Sequence, residues 1–133
     1  MCAIFGITGK SNIGLLKKMS KCQLYRGPDN QTFFTDKNHK ISFGMNRLEV
    51  IDKKNGNQPM FSHDGRHLLV FNGAIYNFLE LKKYLKKKIH FKTNSDTEVL
   101  INSFNYWGKK CFTYFDGMWA AAIYDFKKKT TFL

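Results

Sequence analysis

Met1-Cys2-Ala3-Ile4-Phe5-Gly6-Ile7-Thr8-Gly9 opens the chain with a cysteine directly behind the initiator and an apolar run behind the cysteine. Residues 2 to 8 read as a buried strand, with Gly6 and Gly9 flanking its end. A small residue after the initiator lets an aminopeptidase remove Met1, which leaves Cys2 with a free α-amine. A thiol beside an α-amine of pKa about 7.7 to 8.0 has a general base within reach, so one residue can serve as nucleophile and proton acceptor. The plain alternative is a buried strand cysteine, a common fate of this residue type.

Outward from that strand, residues 12 to 24 carry Ile13, Leu16, Met19 and Leu24 with lysines between them, a helical pattern that must stop before Pro28. A turn follows at Arg26-Gly27-Pro28-Asp29. Strands are predicted at 31 to 35, 40 to 50 and 67 to 72, separated by turn-rich stretches around Lys37 to Lys40 and Asn55 to Pro59. Asn77 with Glu80, and Ser95 with Glu98, have N-cap spacing, so helices should start there and run to about Lys88 and Tyr106. A last pair of strands covers Met118 to Tyr124 and Thr130 to Leu133, around a lysine turn. Strands followed by two helices and more strands imply a mixed architecture with helices packed on sheet faces.

The chain has 133 residues, 43% hydrophobic and 16% aromatic, which suits one globular domain with a sizeable core. No apolar run approaches the ~20 residues of a membrane helix, and the start lacks the features of a signal peptide, so the expected location is the cytoplasm with no membrane partner. Cys2, Cys22 and Cys111 are odd in number and show no C-x-x-C spacing, which indicates neither a disulfide framework nor a zinc site. A net charge of +12 raises nucleic acid as a partner. Against it, only Arg26, Arg47 and Arg66 are arginines, and lysines such as Lys82, Lys83, Lys86, Lys87 and Lys88 read as a solvated surface, so no nucleic-acid partner is expected. Thr131, Phe132 and Leu133 read as a strand cut off in progress, which is expected of a domain incomplete at its C-terminus.

Met1 to Gly6 resembles the opening of class II glutamine amidotransferases, the N-terminal-nucleophile type. Six further segments resemble that family in its own order: Arg26-Gly27-Pro28-Asp29, Asn46-Arg47-Leu48-Glu49-Val50-Ile51-Asp52, Gln58-Pro59-Met60, Phe71-Asn72-Gly73-Ala74-Ile75-Tyr76-Asn77, Ser95-Asp96-Thr97-Glu98 and Phe115-Asp116-Gly117-Met118-Trp119-Ala120. The resemblance spans essentially the whole chain. The Arg26 to Asp29 turn is similar to that of the glutaminase domain of glutamine-hydrolysing asparagine synthetases, and differs from sugar-phosphate and purine amidotransferases.

The resemblance implies an α+β fold, a four-layer α/β/β/α sandwich, with residues 1–133 forming a partial amidotransferase domain. It implies Cys2 as nucleophile and Asn72 with the Gly73 amide as oxyanion donors, a role worth ~3 to 4 kcal/mol in barrier height. It further implies Arg47 on the substrate α-carboxylate, Asp96 on its α-ammonium, and backbone contacts near Val50. Each has a blander alternative: a surface ion pair for Arg47, a turn dipeptide for Asn72-Gly73, a first-turn helix acid for Asp96. The Arg26 to Asp29 turn is expected to support the nucleophile rather than to react. Two positions depart from the family: Ala74, usually glutamate and a second contact to the ammonium, and Ala3, usually glycine. Glutamine is the implied substrate, hydrolysed to glutamate and ammonia. ATP and Mg are expected in a synthetase domain that these residues lack, since no phosphate-binding loop is present. No cofactor is expected in this segment itself, and a homodimer is possible for full-length members. A related amidotransferase with another acceptor, or an inactive fragment, are the remaining readings.

Overall fold

The computed structural model describes residues 2–52 and 54–133. Three strands, β1 (Ala3–Thr8), β2 (Asn30–Asp36) and β3 (Ile41–Arg47), form an antiparallel sheet in the order β1-β3-β2. The central strand β3 is buried along its whole length, and its period-2 alternation explains how both faces are covered. Ile41 and Phe43 join Leu68, Val70 and Tyr124 in an apolar layer beneath the sheet. Ser42 and Asn46 point the other way, to the first helix, α1 (Ile13–Cys22).

Helix α1 starts where Asn12 caps it, the Asn12 side chain accepting from the Leu15 amide at 2.9 Å. Ser42 in turn accepts from the Asn12 amide at 2.8 Å. On the inner face Leu16 is fully buried, which stabilises the docked helix by about 1.5–3 kcal/mol. Ser20 and Asn46 close the contact with a reciprocal pair, Ser20 donating to Asn46 Oδ1 at 2.6 Å and Asn46 donating to the Ser20 carbonyl at 2.8 Å. The expected apolar stripe is only partly used, since Ile13 and Leu24 remain exposed.

The second sheet is also antiparallel: β4 (Met60–Phe61), β5 (His67–Ile75), β6 (Gly117–Asp125) and β7 (Thr130–Phe132), in that order. Leu68 and Val70 of β5 face the first sheet, whereas Leu69, Phe71 and Ile75 face the helices α2 (Phe78–Leu85) and α3 (Asp96–Trp107). Leu100, Ile101 and Phe104 of α3 complete that outer core with Cys111 and Phe115. Helix, sheet, sheet and helices make four layers, the α/β/β/α sandwich expected of the chain.

Several local expectations change. Strand β3 stops at Arg47, and residues 48 to 52 and 54 to 58 form no strand that continues it. Met60 and Phe61 form a two-residue strand with no signal of its own, because so short an edge strand exists only through its pairing to Leu69 and Leu68. Asn77 does not cap α2 with its side chain. Its carboxamide instead donates to the Tyr114 carbonyl at 2.9 Å and accepts from the Asp116 amide at 3.0 Å, joining the start of α2 to the approach to β6. Ser95 does cap α3, accepting from Glu98 N at 3.2 Å, but the Glu98 carboxylate turns back to the Lys92 and Thr93 amides at 2.9 and 2.7 Å. Lys82 is buried, not part of a solvated face, because its ammonium donates to the Thr93 carbonyl at 2.5 Å and Asn94 Oδ1 at 2.8 Å.

Candidate active site

Cys2 stands at the head of β1, half-buried, against the chain leaving β3. The Leu48 amide donates to its sulfur at 3.4 Å and its thiol faces the Leu48 carbonyl at 3.6 Å, so both partners come from one residue. Arg26 Nε donates to the Cys2 carbonyl at 3.2 Å, fixing the backbone from behind. The rest of that turn is tied to the same region. Asp29 accepts from the Glu49 amide at 2.9 Å, and its own amide donates to the Arg47 carbonyl at 3.1 Å. Gly27 lies so close to β3 that an added Cβ would stand 2.2 Å from the Asn46 carbonyl oxygen, so no larger residue fits there without moving the strand. The Arg26 to Asp29 turn is a brace around Cys2, as anticipated.

Arg47 ends β3 with its guanidinium inside the protein rather than on the surface. Nη1 donates to Asn57 Oδ1 at 3.0 Å, and Nη2 donates to the Ile51 and Asp52 carbonyls at 3.0 and 2.9 Å. Glu49 adds an ion-pair contact at 3.6 Å. These contacts fix the plane of the guanidinium against Glu49, Ile51, Asp52 and Asn57. Gly56 makes the arrangement possible, because a Cβ there would lie 2.5 Å from Arg47 Nη2.

The opposite wall comes from the second sheet. Asn72 and Gly73 lie near the end of β5, with Gly73 packed so tightly on β6 that a Cβ would meet the Met118 carbonyl at 2.2 Å. Asp96 opens α3, buried, and accepts from the Ile75 amide at 3.1 Å. Burial pushes the Asp96 carboxyl above its ordinary range, opposed by the hydrogen bonds from Ile75, Thr97 and its own amide. A cationic neighbour in the cavity would favour its charged form.

Cys2, Arg47, Val50, Asn72, Gly73 and Asp96 all line one cavity of about 240 Å³, together with Ala74 and Gln58. The six residues picked from the sequence therefore meet, although they come from five places along the chain and from both sheets. Val50 contributes an exposed side chain at the rim. What sequence reasoning missed is Gln58. Buried, it accepts from Phe71 N at 2.6 Å and donates to the Phe71 carbonyl at 3.1 Å and to Thr97 at 3.3 Å, tying the loop, β5 and α3 together beside the cavity. The only hint was its place in the Gln58-Pro59-Met60 segment. Among the described residues no group of His, Cys, Asp or Glu gathers that could hold a metal ion, and no helix is long and apolar enough to cross a membrane.

A thiol, a buried guanidinium and a buried carboxylate thus line one small cavity between the two sheets. The same layered fold occurs in the glutamine phosphoribosylpyrophosphate amidotransferase of B. subtilis solved with ADP and GMP, with a TM-score of 0.71 at 19% identity over 94% of this chain and 35% of that one. The chain belongs to the glutamine amidotransferase domain family, whose profile matches residues 1–133. Among similar proteins, asparagine synthetase [glutamine-hydrolyzing] 1 of Bacillus subtilis is 35% identical over 94% of this chain and 21% of its own length. A putative asparagine synthetase [glutamine-hydrolyzing] 2 of Methanocaldococcus jannaschii is 38% identical over 99% and 29%. Asparagine synthetase B of Escherichia coli is 32% identical over 96% and 24%. The chain thus spans between about a fifth and under a third of the length of these relatives.

Proposed function

We propose that the chain hydrolyses glutamine to glutamate and ammonia, and that the ammonia serves a synthetase domain that converts aspartate to asparagine. The observation that carries this reading is the single cavity in which Cys2, Arg47, Asn72, Gly73 and Asp96 meet. Its volume is below the ~300 Å³ at which drug-sized ligand sites begin, and suits one amino acid. Arg47 takes the α-carboxylate, for which a fixed guanidinium is the natural partner. Asp96 takes the α-ammonium, and the backbone near Val50 supplies further contacts to the substrate.

With Met1 removed, the Cys2 α-amine accepts the thiol proton as sulfur attacks the side-chain amide carbon of glutamine. The carbonyl oxygen becomes an oxyanion facing the Asn72 carboxamide and the Gly73 amide. The Asn72 side chain makes no hydrogen bond among the described residues, so its N–H groups need not leave another partner. The ammonium of Cys2 then protonates the departing nitrogen, the carbon–nitrogen bond breaks, and ammonia leaves behind a γ-glutamyl thioester. Water attacks that thioester, sulfur departs, and glutamate is released. Support for the acceptor comes from the relatives' names and from the Arg26 to Asp29 turn. ATP and Mg belong to the separate synthetase domain in this reading, which also carries a cytoplasmic location and, for the whole enzyme, a homodimer.

The test is intact mass followed by assay of the full-length protein. Mass spectrometry should show Met1 missing, and Cys2→Ala should abolish glutamine hydrolysis while ammonia-dependent amidation persists, because the two reactions use separate sites. Equal glutaminase activity in Cys2→Ala and parent would sink the assignment.

A further inference from the structure

Arg47 belongs to the first sheet and Asp96 to the helix layer beyond the second. If they hold the two charged ends of one amino acid, their separation must be set by something that reaches both. Asp52 does so. Its carbonyl accepts from Arg47 Nη2 at 2.9 Å, and its carboxylate Oδ2 accepts from the Asn94 amide at 2.8 Å, two residues before Asp96. The other carboxylate oxygen accepts from the Asn55 amide at 3.2 Å, and the Asp52 carbonyl also accepts from the Gly56 amide at 2.8 Å, which closes the loop around the guanidinium. Asn94 is gripped on its far side by buried Lys82, which donates to its Oδ1 at 2.8 Å and to the Thr93 carbonyl at 2.5 Å.

We propose that Asp52 is a positioning residue that sets the spacing between Arg47 and Asp96, and thereby selects an α-amino acid zwitterion over amides that lack one of the two charges. The proposal rests on the glutaminase reading for its ligand, but the bridge itself is a property of the protein alone. Residue type fits the task. Asp52 has φ +43, the left-handed region that Asp and Asn tolerate far better than most residues. The hydrogen bond from the Asn94 amide, opposed by desolvation, holds its carboxyl below the ordinary carboxylate range, so at neutral pH it is a pure acceptor able to serve Asn94 and Asn55 together.

The experiment uses the full chain carrying Cys2→Ala, so that ligands bind without turnover. Affinities for glutamine and for glutaramate, which lacks the α-ammonium, are measured by titration in that background and with Asp52→Ala, Asp52→Gly or Asp52→Asn added. Asp52→Gly removes the side chain without left-handed strain, which separates the bridge from backbone effects. Asp52→Ala and Asp52→Gly should weaken glutamine about tenfold, the size of one charge-assisted contact, and glutaramate by less than about twofold, because a ligand anchored at one end does not feel the spacing. Asp52→Asn keeps one oxygen for the Asn94 amide and should recover most of the loss. In the ligand-free protein, nitrogen-15 spectra of Asp52→Gly should show the Arg47 guanidinium and the Ile75 amide, which reports on Asp96, shifting together. Equal weakening of both ligands, unchanged glutamine affinity, or a shift confined to Arg47 overturns the proposal. A parent that binds neither ligand would instead refute the glutaminase reading, and the paired shifts would then decide the bridge without any ligand.

Discussion

Replacing Gln58 with methionine should destabilise the protein by about 2–6 kcal/mol, and the reason lies in how β5 is paired. Strand β4 pairs Met60 with Leu69, and continuing that register by two residues would place residue 58 opposite Phe71. The chain leaves the ladder before then, and the Gln58 carboxamide takes the place of a peptide group, accepting from Phe71 N at 2.6 Å and donating to its carbonyl at 3.1 Å. Methionine fills similar volume, so lost packing accounts for less than about 1.5 kcal/mol. It leaves two buried backbone groups unsatisfied, at about 1–3 kcal/mol each. Against a total of about 5–15 kcal/mol this is a large fraction. Urea unfolding followed by tryptophan fluorescence measures it directly, with Trp107 and Trp119 on the helix layer and on β6 as reporters. Because Asn72 and Gly73 follow Phe71 directly, turnover should fall as well. A loss below about 0.5 kcal/mol, the range of an ordinary surface substitution, would show that the pairing contributes nothing, and the account of β5 would have to be abandoned.

In the full-length protein, Ala74→Glu should lower the Michaelis constant for glutamine by about tenfold with a smaller change in turnover, since Ala74 lines the cavity beside Asp96 and a second acid would meet the ammonium; an unchanged or raised constant would require the site to be redrawn. Asp64 is pushed up by burial, but hydrogen bonds from the Ser62 hydroxyl, the Arg66 amide and the Asn105 side chain outweigh this and bring its carboxyl down to about 2 from 3.8. A depressed folded-state pKa contributes stability that is present above the unfolded value and lost as pH falls through the folded one, so acid titration of stability should be flatter between about pH 4 and 2 in Asp64→Asn than in the parent. Cys22 is exposed, while burial pushes the Cys111 thiol up to about 12. A thiol reagent at neutral pH should therefore modify Cys22 in the folded protein and Cys111 only on unfolding, and rapid native labelling of Cys111 would contradict its place in the core.

The elements that the sequence announced share a local cause. The apolar run of residues 2 to 8, the helical pattern from residue 12, the cap at Ser95 and the lysine turn between β6 and β7 each depend on residues within a few positions of one another. Apart from Cys2, the cavity-lining residues were singled out only through resemblance to a family, since nothing local in Arg47 or Asp96 distinguishes a group buried beside a cavity from a surface ion pair or a helix-end acid. What stayed hidden depends on partners far away in the chain. Asn77 had the spacing of a cap but found Tyr114 and Asp116 instead, and Lys82 looked like one of many surface lysines until the loop before α3 enclosed it. Gln58 and Asp52 belong with these, because a side chain that stands in for a strand or spans two layers leaves no periodic trace.

Cys2 and Arg47 are carried by one sheet, Asn72 and Gly73 by the other, and Asp96 by the helix packed on its far side. No supersecondary unit contains a working fraction of the cavity. During synthesis Cys2 emerges first and stands without the rest of the cavity until the second sheet has formed and docked, so on the proposed function ammonia release should report on the union of the two halves rather than on the formation of either. Glutaminase turnover can thus be used as a clock for that docking step: in a refolding experiment it should appear after the helical signal is complete, and without an intermediate level of activity.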